Sequence, residues 1–153
     1  MPVYARLDDR VSVAPQITLD EIPAIAGAGF TTLIGNRPDG EAEGQPDTAA
    51  LAAEARRHGL DFVHQPVVGS AIDMRDADAF DAALARARGP VLAFCRTGTR
   101  STTLWALGQA RRRPVDDVLA DARRAGYDLA GLRPQLEATA AMVAPVAPGG
   151  ADG

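Results

Sequence analysis

The sequence contains no lysine, a single cysteine and only two histidines, so all 16 of its basic residues are arginines. One cysteine, Cys95, excludes an internal disulfide framework and a multi-cysteine metal site. Two histidines, His58 and His64, do not favour a multi-histidine metal site, and we expect neither a metal nor another cofactor. A lone thiol is typical of a protein that works in a reducing cytoplasm.

Long hydrophobic runs and an excess of positive charge are also missing. No apolar run approaches the ~18 residues that are needed to span a bilayer, and the first ten residues lack the apolar core of a signal peptide. The net charge of −4 argues against nucleic acid or an anionic membrane as a partner. We therefore expect a cytoplasmic protein without a nucleic-acid or membrane partner, and its oligomeric state stays open.

The pattern of apolar residues predicts strands that alternate with helices. Strands are predicted over residues 11–14, 30–34, 61–65 and 91–94. Helices are predicted over residues 18–28, 48–58, 74–88, 101–112, 114–125 and 132–143. This alternation predicts an α/β fold with a mostly parallel central sheet flanked by helices. We expect a single domain over residues 1–143 and a disordered tail over 144–153, which is made largely of proline, glycine and alanine.

Two helix starts carry capping signals. Thr18 is predicted to begin the first helix, with Glu21 at the spacing of a capping box. Asp47 is predicted to cap the second helix.

The segment 95–101 reads Cys-Arg-Thr-Gly-Thr-Arg-Ser and joins a predicted central strand to a helix. Its backbone N–H groups and the positive end of the helix can form a cradle for an anion, and the same field favours a thiolate at Cys95. Gly98 permits a backbone conformation that other residues avoid. Arg100 offers a planar fork of donors, and Ser101 is predicted to cap the helix and to bind the sulfur. Cys95 is therefore predicted to be a nucleophile that faces an anion.

The rest of this segment is predicted to bind the substrate together with Arg100 and Ser101. Thr97, Gly98 and Thr99 would contribute backbone donors to the anion cradle. Arg96 either lines the mouth of the site or points to solvent, and both alternatives stay open.

A second loop follows the strand at 30–34 and belongs to the same edge of the sheet. There Arg37 is predicted to help bind the anion, and Asn36 to hold the loop through bonds to the backbone. The alternative is an ordinary turn, since Pro38 is followed by an Asp-Gly pair. His64 is predicted to be structural rather than a general base, and Trp105 to pack in the core.

Several stretches of this chain resemble the beta-lactamase-hydrolase-like family, in its domain described as phosphatase-like. They lie between about residues 3 and 142, and the stretch that begins at Cys95 is the most specific. The matching stretches are Ser12-Val-Ala-Pro-Gln-Ile17, Ala28-Gly-Phe30, Asn36-Arg-Pro-Asp-Gly-Glu41, Phe62-Val-His64 with Pro66, Gly89-Pro-Val-Leu92, Cys95-Arg-Thr-Gly-Thr-Arg-Ser-Thr-Thr-Leu-Trp105 and Gly126-Tyr-Asp-Leu129. The resemblance implies the fold of the cysteine-dependent dual-specificity phosphatases. It also implies relatives that are described as sulfur transferases and are fused to a metallo-beta-lactamase-type persulfide dioxygenase.

Two departures from phosphatases lead us to expect a sulfurtransferase. Phosphatases of this type have arginine six residues after the cysteine, whereas Arg100 comes after five, as in the loop of rhodaneses. They also carry an aspartic acid after a strand, where this chain has Gly69. The predicted enzyme takes sulfur from a small anionic donor through a Cys95 persulfide, and a persulfide dioxygenase is its predicted partner.

Two alternatives stay open beside this expectation. The first is a phosphoester hydrolase that forms a phospho-Cys95 intermediate, with Asp39, Asp73 or Asp76 as the general acid. The second is a non-catalytic module that binds anions or a partner enzyme.

Overall fold

A computed structural model of the chain describes residues 3–143, and a five-stranded sheet forms its centre. The strands are β1 (Ala5–Arg6), β2 (Val11–Ala14), β3 (Thr32–Gly35), β4 (Asp61–His64) and β5 (Val91–Phe94). Their order across the sheet is β1-β2-β5-β3-β4, in which only the β1–β2 pair is antiparallel. The predicted α/β fold with a mostly parallel sheet is therefore confirmed.

Strand β5 lies in the middle of this sheet and is buried along its whole length. Its last residue, Phe94, pairs with Ala14 on one side and with Gly35 on the other. Strands β2, β5 and β3 therefore end level with one another. The loops that follow them meet at one edge of the sheet, which is the usual position of a site in this class of fold.

Helices cover both faces of the sheet. They are α1 (Ile22–Gly27), α2 (Thr48–Arg57), α3 (Met74–Arg86), α4 (Thr99–Gln109), α5 (Val115–Arg124) and α6 (Arg133–Val143). Helices α1 and α2 pack on the face of Leu33 and Leu92. Helices α3 and α4 cover the face of Ile34 and Ala93, and α5 and α6 pack against α4. The central strands β3 and β5 therefore contribute alternate residues to two hydrophobic cores.

Several predicted element boundaries are wrong; α3 ends at Arg86 instead of residue 88, and α4 ends at Gln109 instead of residue 112. Two of the wrong boundaries, both at element starts, have a local cause. Strand β3 begins at Thr32 instead of residue 30, because Phe30 packs edge-on against Tyr4 outside the sheet, with ring centres 5.3 Å apart. Helix α4 begins at Thr99 instead of Ser101, because the carbonyl of Gly98 accepts the first helical bond, from the N–H of Thr102.

One of the two predicted caps is also wrong. Asp47 makes no side-chain cap to α2; Asp39 instead accepts hydrogen bonds at 2.8 Å from both the N–H and the hydroxyl of Thr48. The capping box at Thr18 is confirmed, since Glu21 accepts a hydrogen bond from the Thr18 N–H at 2.9 Å. It begins a 3-10 turn, Leu19–Glu21, and α1 itself begins at Ile22, later than the predicted residue 18.

The predicted tail, residues 144–153, lies outside the residues that the structure describes. No helix within residues 3–143 is long and apolar enough to cross a membrane.

Candidate active site

Cys95 directly follows β5 at the edge where three strands end. Its residue is fully buried, and its N–H reaches the carbonyl of Ala14 at 3.4 Å. The N–H of Gly98 donates a hydrogen bond to the Cys95 sulfur at 3.1 Å. At least one backbone donor of this loop therefore points at the sulfur, as the sequence predicts for a cradle.

The loop turns sharply into α4 at Gly98. Gly98 has a φ of +95°, in the left-handed region that only glycine adopts easily. Helix α4 therefore begins directly after Gly98, the residue whose N–H donates to the Cys95 sulfur. The positive end of an 11-residue helix lies beside the thiol, where it favours negative charge.

A tyrosine that sequence reasoning missed borders this loop. The hydroxyl of Tyr127 donates a hydrogen bond to the carbonyl of Thr97 at 3.1 Å. Burial, and to a lesser degree the nearby charge of Cys95, raises the pKa of Tyr127. Tyr127 lies in one of the stretches that resemble the phosphatase-like family, and this was the only sequence signal for it.

The two threonines of the loop bond to each other rather than to the sulfur. The hydroxyl of Thr97 donates to that of Thr99 at 3.0 Å and accepts from the Thr99 N–H at 3.3 Å. Both residues are exposed, so their side chains shape the rim of the loop.

The predicted role of Ser101 as a helix cap and a sulfur ligand is wrong. Because α4 begins two residues earlier, Ser101 lies inside its first turn and is fully buried. Its hydroxyl donates to the side-chain oxygen of Asn36 at 2.7 Å. Ser101 therefore ties α4 to the loop after β3.

Asn36 links three segments at this edge of the sheet, as predicted for a residue that holds its loop. It is fully buried, and its amide nitrogen donates to the carbonyl of Gln65 at 3.0 Å. Its backbone accepts a hydrogen bond from the N–H of Val67 and donates one to the carbonyl of Phe94. These bonds hold the loop after β3 next to the loop that carries Cys95.

The guanidinium of Arg100 is engaged by a carboxylate that sequence reasoning did not assign to the site. Its two terminal nitrogens each lie 2.8 Å from a different oxygen of Glu41, and one of them also donates to the carbonyl of Val67 at 2.9 Å. Arg100, and to a lesser degree Arg37, lower the pKa of Glu41 to about 2, against a desolvation effect that raises it. Glu41 in turn raises the pKa of Arg100.

Arg37 reaches the same carboxylate from the other side. Its Nε donates to Glu41 at 2.9 Å, a terminal nitrogen donates to Gln16 at 3.2 Å, and its side chain is only 7% exposed. The structure therefore brings Arg37 and Arg100 together, as the prediction of a shared anion site requires.

The three arginines of the predicted site line one cavity of about 520 Å³. Glu41 and Ala42 complete its lining beside Arg37, Arg96 and Arg100. Arg96 lines this cavity and is exposed, which agrees with both of its predicted alternatives.

The three aspartates considered as a general acid are all engaged at helix starts. Asp39 caps α2, and Asp73 and Asp76 form a capping box at the start of α3. Hydrogen bonds from Thr48 lower the pKa of Asp39, and those from Arg75 and Asp76 lower the pKa of Asp73. An acid must hold its proton near the working pH, so these contacts do not favour Asp39 or Asp73 for that role.

Gly69 occupies the position where the resemblance would place the general acid of a phosphatase, and this position lies next to the candidate active site. A Cβ on Gly69 would lie 3.8 Å from the Arg100 side chain. An acidic side chain there would therefore lie beside the anion-binding arginine, and glycine supplies none.

The histidine and the tryptophan have structural contacts. The His64 ring lies 3.3 Å from the carbonyl of Arg37 and 3.4 Å from the hydroxyl of Thr48. Trp105 is buried in the core and donates to Asp8 at 2.8 Å. Both observations agree with the roles predicted for them.

The chain matches, over residues 4–112, the family described as the phosphatase-like domain of beta-lactamase hydrolase-like proteins. It belongs to this family. The phosphatase-like domain is 35% identical over 143 residues to the beta-lactamase hydrolase-like protein of Agrobacterium fabrum. That match covers 90% of this chain and 32% of the relative, so the chain spans about a third of the relative's length.

Solved structures agree with the predicted phosphatase fold. The domain is 38% identical to a proposed phosphatase from Neisseria meningitidis, with a TM-score of 0.82 over 88% of this chain and 96% of the other. A kinase-associated phosphatase is 11% identical, with a TM-score of 0.70 over 94% and 96% of the two chains. At this low identity the likeness shows the fold alone.

These likenesses bear on the choice between the two predicted activities. The family description and the Neisseria structure both refer to a phosphatase. They favour the phosphoester hydrolase, which the sequence left as the alternative, and none of them supports the sulfurtransferase that we expected first.

Proposed function

We propose that the protein is a cysteine-dependent phosphoester hydrolase. The observation that carries this proposal is the N–H of Gly98, which donates to the Cys95 sulfur from the loop between β5 and α4. In a phosphatase-like fold this arrangement suits a thiolate nucleophile beneath a bound phosphoryl group. Arg100, at the start of the same helix, supplies the charge that such a group needs.

The proposed reaction has two steps. The Cys95 thiolate attacks phosphorus, a sulfur–phosphorus bond forms, and the ester oxygen leaves with the bonding electron pair. Water then attacks the phosphocysteine, which releases inorganic phosphate and restores the thiolate. Loop N–H groups and Arg100 stabilise the charge on the phosphoryl oxygens in both steps.

The contacts of the aspartates restrict the class of ester. A positioned acid contributes about 10²–10⁴ in rate by protonating the leaving oxygen. Asp39, Asp73 and Asp76 are engaged at helix starts, and residue 69 is glycine. We therefore propose aryl phosphates, whose phenolate leaves without a proton, as better substrates than alkyl phosphates.

Parallel assays with a phosphotyrosine peptide and a matched phosphoserine peptide test this proposal. We expect release of phosphate from the phosphotyrosine peptide to exceed that from the phosphoserine peptide by at least about 10²-fold, the effect of a missing acid. Cys95→Ser should abolish both activities. Equal rates from wild type and Cys95→Ser would contradict the proposal.

Sulfur transfer is the second candidate, and the spacing between Cys95 and Arg100 favours it. The arginine comes one residue earlier than in phosphatases of this type, and a sulfur donor such as thiosulfate releases an anion that needs no acid. In this reaction the Cys95 thiolate attacks the outer sulfur of thiosulfate, the sulfur–sulfur bond of thiosulfate breaks, and sulfite leaves. The Cys95 persulfide then passes its outer sulfur to a thiol or cyanide, which restores the thiolate. A persulfide dioxygenase would then be the partner.

Incubation with thiosulfate separates the two candidates. A gain of one sulfur atom on Cys95, measured by intact mass, and thiocyanate formation with cyanide would favour sulfur transfer. If thiosulfate leaves the mass unchanged while the phosphotyrosine peptide is hydrolysed, the second candidate is wrong.

A further inference from the structure

Glu41 forms an ion pair with Arg100, the arginine that binds the substrate in the proposed function. Its two oxygens face the two terminal nitrogens of Arg100 at 2.8 Å, a parallel pair of charge-assisted bonds. This is also the geometry in which a guanidinium binds a phosphate or a carboxylate ligand. A substrate oxyanion and Glu41 therefore compete for the same donors of Arg100.

Arg37 and Arg100 both donate to the Glu41 carboxylate, so this carboxylate occupies an anion site formed by two arginines. The Nε of Arg37 donates to the same oxygen of Glu41 that accepts a bond from Arg100. Among residues 3–143, Glu41 is the only acidic residue that lines the cavity of Arg37, Arg96 and Arg100. One carboxylate therefore pairs with two guanidinium groups in a cavity that a third arginine also lines, and a group of higher negative charge would balance them better.

The part of the loop that carries Glu41 is held by hydrogen bonds within the loop itself. Residues 36–47 contain no strand or helix, and both Gly40 and Gly44 have a positive φ. The N–H of Glu41 bonds to the side chain of Gln45, which in turn bonds to the carbonyl of Pro38. The Glu41 side chain is 30% exposed, so it can turn towards water without opening a strand pair.

We propose that Glu41 is a specificity-determining residue that acts as an internal ligand of Arg100, which the substrate oxyanion displaces. This inference rests on the proposed role of Arg100 in binding the substrate. The bound internal carboxylate excludes weak external anions, above all carboxylates, since these offer Arg100 nothing that Glu41 does not already provide. A phosphoryl group carries more negative charge than a carboxylate and therefore displaces Glu41 from Arg100.

Binding of small anions to the full chain tests this proposal by isothermal titration calorimetry. The probes are inorganic phosphate and acetate, and the variants are Glu41→Gln and Glu43→Gln. Glu43 is exposed in the same loop and has no ion pair among residues 3–143, so its variant controls for the lost charge. We expect Glu41→Gln to bind phosphate about fivefold more tightly than wild type and to gain measurable acetate binding. Glu43→Gln should resemble wild type.

Two results of these titrations would contradict the proposed role of Glu41. Weaker phosphate binding by Glu41→Gln, or the same change in both variants, would overturn the proposal, because Glu41 would then orient Arg100 or act only through net charge. If Glu41→Gln does not fold, Glu41→Asp replaces it. The shorter side chain keeps the charge and loses the reach to Arg100, so phosphate binding should again tighten, and unchanged or weaker binding would overturn the proposal.

The same titrations separate this inference from the proposed function. Phosphate binding requires no turnover. Tighter binding by Glu41→Gln in a protein that hydrolyses neither phosphopeptide would support the internal ligand and contradict the hydrolase. If the wild-type protein hydrolyses the phosphopeptide but Glu41→Gln binds phosphate no more tightly than wild type, the hydrolase is supported and the internal ligand is contradicted.

Discussion

The hydroxyl oxygen of Tyr127 lies 2.1 Å from the point where a Cβ on Gly98 would lie. Residue 98 is therefore constrained twice, by its φ of +95° and by the tyrosine that fills the space beside it. A side chain at this position would strain the loop that carries Cys95 and would also collide with Tyr127.

Gly98→Ala should cost more stability than a left-handed backbone alone explains. Gly126 is the matched control, since its φ is +102° and, its chain neighbours aside, no atom of residues 3–143 lies within 4 Å of its Cβ position. We expect Gly126→Ala to lower the free energy of unfolding by about 1–2 kcal/mol, and Gly98→Ala to lower it further. Urea denaturation measures both losses, and equal losses would contradict the steric argument.

The tyrosine offers a second arm for this test. Adding Tyr127→Phe to Gly98→Ala removes the hydroxyl but leaves a ring carbon 2.8 Å from the new Cβ. We expect it to restore part of the lost stability. No gain over the single variant would mean that the two residues do not collide.

The bond between Ser101 and Asn36 should contribute strongly to stability. Ser101→Ala leaves the buried side-chain oxygen of Asn36 without its donor, and an unsatisfied buried polar group costs about 1–3 kcal/mol. Thr102→Val is the control, because the Gly98 carbonyl to which the Thr102 hydroxyl donates keeps its bond from the Thr102 N–H. Denaturant unfolding should show the larger loss for Ser101→Ala.

Asp8 is expected to stabilise the contact between the N-terminal segment and Trp105 in the core. It accepts hydrogen bonds from the ring of Trp105 and from the N–H groups of Arg10 and Val11. Asp8→Ala leaves the buried indole N–H unpaired and should cost about 1–3 kcal/mol. Asp9→Ala, which loses only an exposed ion pair with Arg6, should change stability by less than about 0.5 kcal/mol.

Trp105 is the only tryptophan of the chain, so its fluorescence reports on this contact. We expect Asp8→Ala to shift the emission of the folded protein and Asp9→Ala to leave it unchanged. A shift of equal size in both variants would indicate a general loosening of the fold.

The ion pair of Glu41 predicts a dependence of stability on pH. Its pKa falls from an ordinary 4.5 to about 2 in the folded protein. The folded state therefore binds this proton less readily than the unfolded chain, and the resulting stabilisation is fully present above about pH 4.5 and is lost as the pH falls towards 2.

The difference in unfolding free energy between wild type and Glu41→Gln isolates this effect from the other carboxylates. We expect the difference to be constant between neutral pH and about 4.5 and to shrink below that. A difference that grows on acidification would contradict the sign of the pKa shift.

Much of the fold was predictable from local patterns. The apolar run at β5 predicts that strand to the residue, because four consecutive buried residues are bounded by a Gly-Pro pair and by a polar loop. The alternation of strands and helices predicts the parallel sheet. Strand β1 was missed, because Ala5–Arg6 is short and is defined only by its pairing with β2.

Contacts between distant segments account for what was missed at the site. Asp39 caps α2 across an irregular loop, whereas sequence reasoning chose the adjacent Asp47. The partner of Ser101 is Asn36, on another strand end, and the partner of Arg100 is Glu41. Local spacing identifies residues that carry chemistry, but it does not predict which of them meet when separated elements pack.

Strand β5 follows β2, β3 and β4 along the chain and yet lies between β2 and β3 in the sheet. The two halves of the sheet therefore have no direct pairing with each other until β5 inserts. A chain growing from the ribosome cannot complete its sheet before Val91–Phe94 has emerged, and contacts of such long range slow folding. The strand that closes the sheet is also the strand that delivers Cys95, so the site and the finished sheet form in the same folding event.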